Sequence, residues 1–353
     1  MKKTLSIENT LILKGRHGPD VRLAAKLIQN GHLVAIPTET VYGLAALGND
    51  KTSIEGIYRA KQRPNHNPLI LHVHSLEQAF GLWDLTGENG QELKKTIQQL
   101  AKHFWPGPLT LVAPKAAHIL PEITAGLDTL AVRCPAHPTA RELLKNLNTP
   151  LAAPSANLSN RPSPTCAGHV MRTLSGRIKA ILDGGPCSKG LESTVFQVAK
   201  KPFQILRAGS IDATELQRVI PHETILSPFV GQAAHLKEPQ RSPGQQSKHY
   251  APAQTSCILL DLRELKSHWN TNAPLVIRDN TALKLEKECG LRPSNAKTWL
   301  MPDSAHAYAK MLYRTLYEIE NSIFSKVWVE MITAQTAYSP WWAIQDRWVR
   351  ASK

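Results

Sequence analysis

The feature that most constrains this chain is a rhythm. Apolar runs of strand length alternate with amphipathic helical stretches, and the alternation is broken once, between Pro221 and Ala253. Such alternation predicts α/β layering, with helices covering a sheet. Val21 to Gln29, stopped by Asn30-Gly31, reads as a helix, and Leu33 to Pro37 as the buried strand after it. Helices follow at 53–61 and 91–104, and strands at 69–73, 109–113, 130–133, 180–182, 194–198 and 203–206, which together predict a mixed sheet. The break holds Pro228, Pro239, Pro243, Pro252 and the polar run Arg241 to Ser247. So long a loop is a domain boundary or a functional segment. Beyond it, strands expected at 256–260, 274–277, 297–301 and 327–332 alternate with helices at 262–268, 282–289 and 305–319, the pattern of a small parallel, Rossmann-like sheet. No glycine-rich fingerprint follows its first strand, so no nicotinamide cofactor is expected. The expected division is a first domain over 1–220, a linker or closing loop over 221–253 and a second domain over 254–353.

With 353 residues, 42% of them hydrophobic, each of two domains has enough apolar material for a core. No run of about 18 apolar residues is present, so no membrane span is expected. Met1-Lys2-Lys3 imitates the start of a signal peptide, but Glu8 and Asn9 interrupt the apolar stretch that should come next, and a cytoplasmic location is expected. The five cysteines are widely separated and form no C-x-x-C pair, so they read as reduced and mostly buried. Charge is uneven. Through Ser210 there are 25 basic and 14 acidic residues, a net +11, against +3 in the remainder. The basic half is therefore expected to carry an anionic ligand, with nucleotide, phosphate and RNA all open.

No phosphate loop of the G-x-x-x-x-G-K-[ST] kind, nucleophile elbow, H-E-x-x-H or kinase signature occurs. Polar, small-residue clusters stand at the strand ends instead. Pro37-Thr38-Glu39-Thr40-Val41-Tyr42-Gly43-Leu44 offers hydroxyls and a glycine turn. In Lys61-Gln62-Arg63-Pro64, followed by Asn67 to His72, the residue before proline avoids the helical region, so two cations sit in a stiffened loop suited to phosphate or simply to solvent. Thr129, Ala131 and Arg133 share one face of an apolar strand, and a buried arginine there needs an anionic partner, from a ligand or from the protein. Ala152 to Ser159, running through Arg161 to Thr165 into a helix, then Asp183-Gly184-Gly185, Gly190 to Val195 and Leu206 to Gly209 complete the set.

Taken in order, Pro37 to Leu44, Lys61 to His72, Trp105 to Leu111, Pro154 to Ser159, Glu192 to Val195, Ser242 to Pro252 and the closing Ala343 to Trp348 resemble the YrdC-like family in its long two-domain form. The resemblance implies a YrdC-like twisted mixed sheet with flanking helices, followed by a smaller Rossmann-like α/β domain. It also implies a nucleotidyltransferase that joins L-threonine, bicarbonate and ATP into threonylcarbamoyl-AMP with release of pyrophosphate, Mg2+ accompanying the ATP and no metal site on the protein itself. Partner threonylcarbamoyl-transferase proteins would then modify tRNA beside the anticodon, with at most weak tRNA contact by this chain. By motif position, Lys61 and Arg63 would stabilise charge. Thr40, His72, Arg133, Ala153 and Ser193 would line the threonine site, with a bidentate clamp from Arg133 on the carboxylate. Arg63, Asn67, Thr129, Ser155, Ser163, Arg207, His249 and Tyr250 would hold ATP, the last two from a loop that excludes water. The chain departs from the family pattern at Ala45 and Asn160, where glycines are usual, and at Gln245-Gln246-Ser247, which lacks an aromatic. Asn160 is a mild change because asparagine tolerates the left-handed region. The alternative from another class is a non-catalytic RNA-binding module with a basic concave surface, which the 6% aromatic content disfavours.

Overall fold

Eleven strands from the first part of the chain join into one mixed sheet, and four from the last part form a second, parallel one. The computed structural model describes residues 9–15, 18–227, 250–295, 297–333 and 339–353. The first unit runs β1 (Leu11–Lys14), α1 (Gly18–Gln29), β2 (Val34–Ile36), β3 (Gly43–Leu47), α2 (Lys51–Lys61), β4 (Ile70–His72), α3 (Leu76–Phe80), α4 (Gly90–Phe104), β5 (Leu109–Pro114) and α5 (Pro121–Thr124). It continues with β6 (Thr129–Arg133), α6 (Pro138–Leu147), β7 (Leu151–Ala152), α7 (Ala167–Leu174), β8 (Ala180–Asp183), β9 (Thr194–Gln197), β10 (Phe203–Arg207), α8 (Ala213–Val219) and β11 (Ile225–Leu226). The second unit holds β12 (Ser256–Leu260), α9 (Leu262–Trp269), β13 (Leu275–Arg278), α10 (Asp279–Cys289), β14 (Thr298–Met301), α11 (Ala305–Glu320), β15 (Lys326–Glu330) and α12 (Trp342–Ala351).

The large sheet is ordered β1-β8-β2-β3-β7-β4-β6-β5-β9-β10-β11 and the small one β12-β15-β13-β14. The strand and helix positions expected from the alternation are filled to within a few residues. Strand β1 and helices α3, α5, α6, α8 and α12 form where no element was expected, and three further strands depart from the pattern for local reasons. Strand β3 occupies residues whose pattern predicts a polar loop, the two-residue β7 is too short to show a pattern, and β11 falls in the stretch expected to be linker, where it extends β10 in parallel. The proline-rich run from Pro228 through His249 lies outside the described residues.

Local chemistry sets the helix ends that matter for the site. Asp50 caps α2 by accepting from the Thr52 and Ser53 amides, and Gln62 closes it in the left-handed region before Arg63-Pro64. Two capping boxes, Asp212 with Glu215 and Asp261 with Glu264, start α8 and α9. One apolar cluster continues from the large sheet into the second unit through Leu312, Leu316, Ile319, Ile344 and Trp348 of α11 and α12. The two units thus share a core across their junction. All five cysteines are free thiols, three of them buried. No described helix is long and apolar enough to cross a membrane.

Candidate functional site

Strands β4, β6 and β10 end beside one another in space, and the loops 37–42, 153–165 and 184–193 close around those ends. They enclose a cleft of about 560 Å³, its open mouth included, lined by Thr38, Thr40, Val41, Gly43, Arg63, Ile70, His72, Arg133, Ala153, Pro154, Ser155, Glu192, Ser193, Arg207 and Tyr250. That size and mixture of apolar and polar walls suit a small molecule.

Arg133, expected to meet an anion, meets one from the protein. Its Nη2 donates to Glu39 Oε1 at 2.5 Å, its Nη1 to Thr40 Oγ1 at 2.8 Å and its Nε to the Gly107 carbonyl at 3.1 Å. Both charged side chains are under a tenth exposed. Glu39 also accepts from the Ala136 amide at 3.0 Å. Burial alone would raise the Glu39 carboxyl, but the Arg133 charge and hydrogen bonds outweigh it and hold the group below its ordinary value. The guanidinium is thus anchored through all three of its nitrogens, with one further hydrogen on each Nη. Thr38 shapes this corner: its hydroxyl donates to the Val41 carbonyl at 2.6 Å and accepts from the Thr40 and Val41 amides. His72 is buried beside Arg133, and burial first, then the Arg133 charge, push its imidazole down to about 3. It is neutral at physiological pH, and its Nδ1 has no hydrogen-bond partner. An orphaned buried nitrogen in a cleft wall is a place for a ligand group.

On the opposite side Arg63 is fixed by Asn67 and Pro68. Its Nη2 donates to Asn67 Oδ1 at 2.5 Å and to the Pro68 carbonyl at 2.9 Å. Lys61 stands behind this wall. Its Nζ donates to the Ser155 and Asn157 carbonyls, each at 2.5 Å, and its own carbonyl accepts from the Ser159 amide at 2.9 Å. Burial and then the nearby Arg63 charge lower its ammonium well below the ordinary value. Arg207, at the end of β10, donates from Nη2 to both the carbonyl and the hydroxyl of Ser193 at 3.0 Å, and that hydroxyl bonds Thr110 Oγ1 at 2.7 Å.

The second carboxylate of the cleft is Glu192, which opens the Glu192 to Val195 motif but is not itself among the expected site residues. It accepts from Ser163 Oγ at 2.5 Å, from the Tyr313 hydroxyl at 2.8 and 2.9 Å, and from Arg347 Nε at 3.0 Å. Burial would raise it; Arg347 and Arg207 reverse the sign and hold it at about 2. Tyr313 and Arg347 belong to α11 and α12, so the second unit reaches the cleft wall. Tyr250, with φ of 68°, lays its ring 5.1 Å from the Arg347 guanidinium.

Of the residues expected at the site, Thr40, Arg63, His72, Arg133, Ala153, Ser155, Ser193, Arg207 and Tyr250 line the cleft. Lys61 and Asn67 do not line it and instead brace residues that do. Ser163 is bound to Glu192, and Thr129 begins β6, about 13 Å along the strand from Arg133. His249 lies outside the described residues. Among the described residues no group of three or more His, Cys, Asp or Glu could cage a metal. Both cleft carboxylates are committed to arginines.

A mixed sheet ending in an arginine-walled cleft, with a parallel-sheet unit completing the wall, makes this a two-domain α/β protein with a site shaped for small anionic molecules. Residues 26–209 match the family model described as "Telomere recombination", which joins the Sua5, YciO and YrdC proteins, and residues 211–353 match "Threonylcarbamoyl-AMP synthase, C-terminal domain". The chain belongs to the YrdC-like family, in its two-domain form. It is 44% identical over 233 residues to the threonylcarbamoyl-AMP synthase of Pyrococcus abyssi, covering 66% of each chain. To that of Bacillus subtilis it is 44% identical over 235 residues, 66% of this chain and 65% of the relative, so each match spans about two thirds of the relative's length. The crystal structure of Pyrococcus abyssi Sua5 complexed with L-threonine superposes with a TM-score of 0.82 at 32% identity, covering 97% of both chains.

Proposed function

We propose that this protein is a nucleotidyltransferase, a threonylcarbamoyl-AMP synthase that takes L-threonine, bicarbonate and ATP and releases pyrophosphate. The observation that carries the reading is the charge arrangement of one cleft: Arg63, Arg133 and Arg207 in its walls, with the two carboxylates already neutralised by Arg133 and Arg347. The names of the curated relatives and the threonine in the solved relative support it.

The threonine carboxylate would meet the outer Nη hydrogens of Arg133, with Thr40, His72, Ala153 and Ser193 around the rest of the amino acid. The nucleotide phosphates would lie toward Arg63 and Arg207, with Ser155 nearby, Asn67 holding Arg63 in place and Ser163 holding Glu192. Thr129 and, from the loop, His249 and Tyr250 would complete the nucleotide side. Bicarbonate takes up a proton and loses water to give CO2, and the threonine amine adds to that CO2 and loses a proton, giving a carbamate. A carbamate oxygen then attacks the α-phosphorus, and the bond to pyrophosphate breaks. Mg2+, entering with ATP as substrate, shields the phosphates. No protein nucleophile is used, so the contribution of this chain is juxtaposition and a preset field of guanidiniums. Lys61 would act by holding the 155–157 backbone, not by touching substrate. The product would pass to threonylcarbamoyl-transferase proteins for N6-threonylcarbamoyladenosine formation in tRNA next to the anticodon.

The test is pyrophosphate release by purified protein supplied with ATP, Mg2+, bicarbonate and L-threonine. Release that depends on threonine is the expected result. Release indifferent to threonine refutes the reading, and steeply salt-dependent RNA binding without turnover supports the non-catalytic module instead.

A further inference from the structure

Glu192 sits in the cleft wall, bonded to the Arg347 guanidinium of the second unit and within reach of the charge of Arg207 from the first. Arg207 ends β10 and faces the cleft, while Arg347 is wholly buried in α12, 155 residues beyond Glu192. Arg347 is held on every side: Nε donates to Glu192, Nη1 to Asp346 Oδ2 at 2.8 Å and Nη2 to the Ala208 carbonyl at 2.8 Å. The neighbouring backbone is pressed against the second unit as well. A Cβ on Gly190, whose φ is 78°, would stand 2.5 Å from Lys310 Cα in α11. One on Gly209 would stand 2.2 Å from the Thr194 amide. There is therefore little slack between Glu192, Ser193 and Arg207.

If Arg347 did not neutralise Glu192, Arg207 would be its remaining cationic neighbour among the described residues, and that guanidinium would be drawn off Ser193 and the cleft. We propose that Arg347, with Tyr313, is a positioning residue through which the C-terminal unit neutralises Glu192 and keeps Arg207 directed at the anionic ligand. The identity of that ligand as ATP rests on the proposed function; the positioning itself does not.

The experiment uses the full chain as Arg347→Met, Arg347→Lys and Tyr313→Phe, with Glu320→Gln as comparison. Glu320 also ties the units together, through Arg161 and the Ala253 amide, but does not touch Glu192. Two readouts are taken: KM for ATP and for L-threonine in pyrophosphate release, and amide hydrogen exchange over residues 190–195 and 207–209 without ligand. Arg347→Met is expected to raise KM for ATP about tenfold or more, equal to roughly 1.4 kcal/mol, while KM for threonine moves less than about twofold. Arg347→Lys should recover part of that loss, and Tyr313→Phe should show a smaller shift in the same direction. Exchange in both segments should quicken in Arg347→Met and not in Glu320→Gln. Unchanged ATP KM and exchange in Arg347→Met overturn the proposal, as does an equal effect from Glu320→Gln, which would reduce Arg347 to a docking contact. Should Arg347→Met fail to fold, unchanged values in both Arg347→Lys and Tyr313→Phe overturn it. If the wild-type chain shows no turnover, the function falls, and the exchange readout alone decides the positioning.

Discussion

Replacing Glu192 by glutamine removes a charge while keeping the shape of the side chain. In the folded chain this carboxyl is held at about 2, against 4.5 for an ordinary glutamate. At about 1.4 kcal/mol per tenfold change in proton affinity, the ionised group is worth about 3 kcal/mol to the fold at neutral pH. The sign is that of a depressed carboxylate: the contribution is fully present above 4.5 and is lost as pH falls toward 2. Linkage then expects the wild-type advantage over Glu192→Gln to shrink by about 1 kcal/mol at pH 4 and by about 2 kcal/mol at pH 3. Urea unfolding followed by tryptophan fluorescence at pH 7, 5, 4 and 3 measures the gap directly. A gap that stays constant with pH, or no gap at pH 7, would show that the Arg347 and Tyr313 contacts do not hold Glu192 ionised, and the reasoning fails.

Arg133→Ala leaves Glu39 buried without its cation, so it should both destabilise the fold, by about 3 to 5 kcal/mol, and raise KM for threonine more than KM for ATP. Equal KM effects, read from pyrophosphate release, would remove Arg133 from the amino-acid side. Gly190→Ala forces a side chain into a left-handed residue against the backbone of α11. It should lower thermal stability and quicken hydrogen exchange in α11; a neutral result would mean the loop moves freely. Lys61→Met removes the two bonds to the Ser155 and Asn157 carbonyls, leaving the first with its bond from the Asn157 amide and orphaning the second at a cost of about 1 to 3 kcal/mol. Activity should fall in proportion to stability, and a large kcat loss in a chain of unchanged stability would return Lys61 to direct contact with substrate.

The alternation of apolar runs made both sheets legible because parallel and central strands are apolar on both faces. It missed β3, whose Gly43-Leu44-Ala45-Ala46-Leu47 is poor in strand-forming residues. That segment is a strand because β2 and β7 pair with it on either side, and its small side chains fit where a Cβ on Gly43 would lie 3.2 Å from Ala153 Cβ. Asn160, expected to be a tolerated replacement for glycine, does take a φ of 65°. The loops of the cleft were legible as small, polar residues at strand ends, and nine of the residues that the family resemblance implied line it. Pairing across the chain was not. Glu39 lies inside the Pro37 to Leu44 cluster, yet nothing local says that it faces Arg133, 94 residues away. Glu192 and Arg347 are farther apart still, and contacts made by tertiary packing leave no periodic trace in either neighbourhood.

The placement of that last ion pair has a consequence for synthesis. At roughly 5 to 20 residues per second, the ribosome adds Arg347 on the order of ten to thirty seconds after Glu192. During that interval the large sheet gains all its strands but carries a sequestered anion with only half its counter-charge. The nascent first unit should therefore breathe at this wall until α12 emerges and docks. A stop codon shortly before residue 342 would release a chain that has every strand but lacks the buried Ile344 and Trp348 of the shared core, and its pocket would be unfinished.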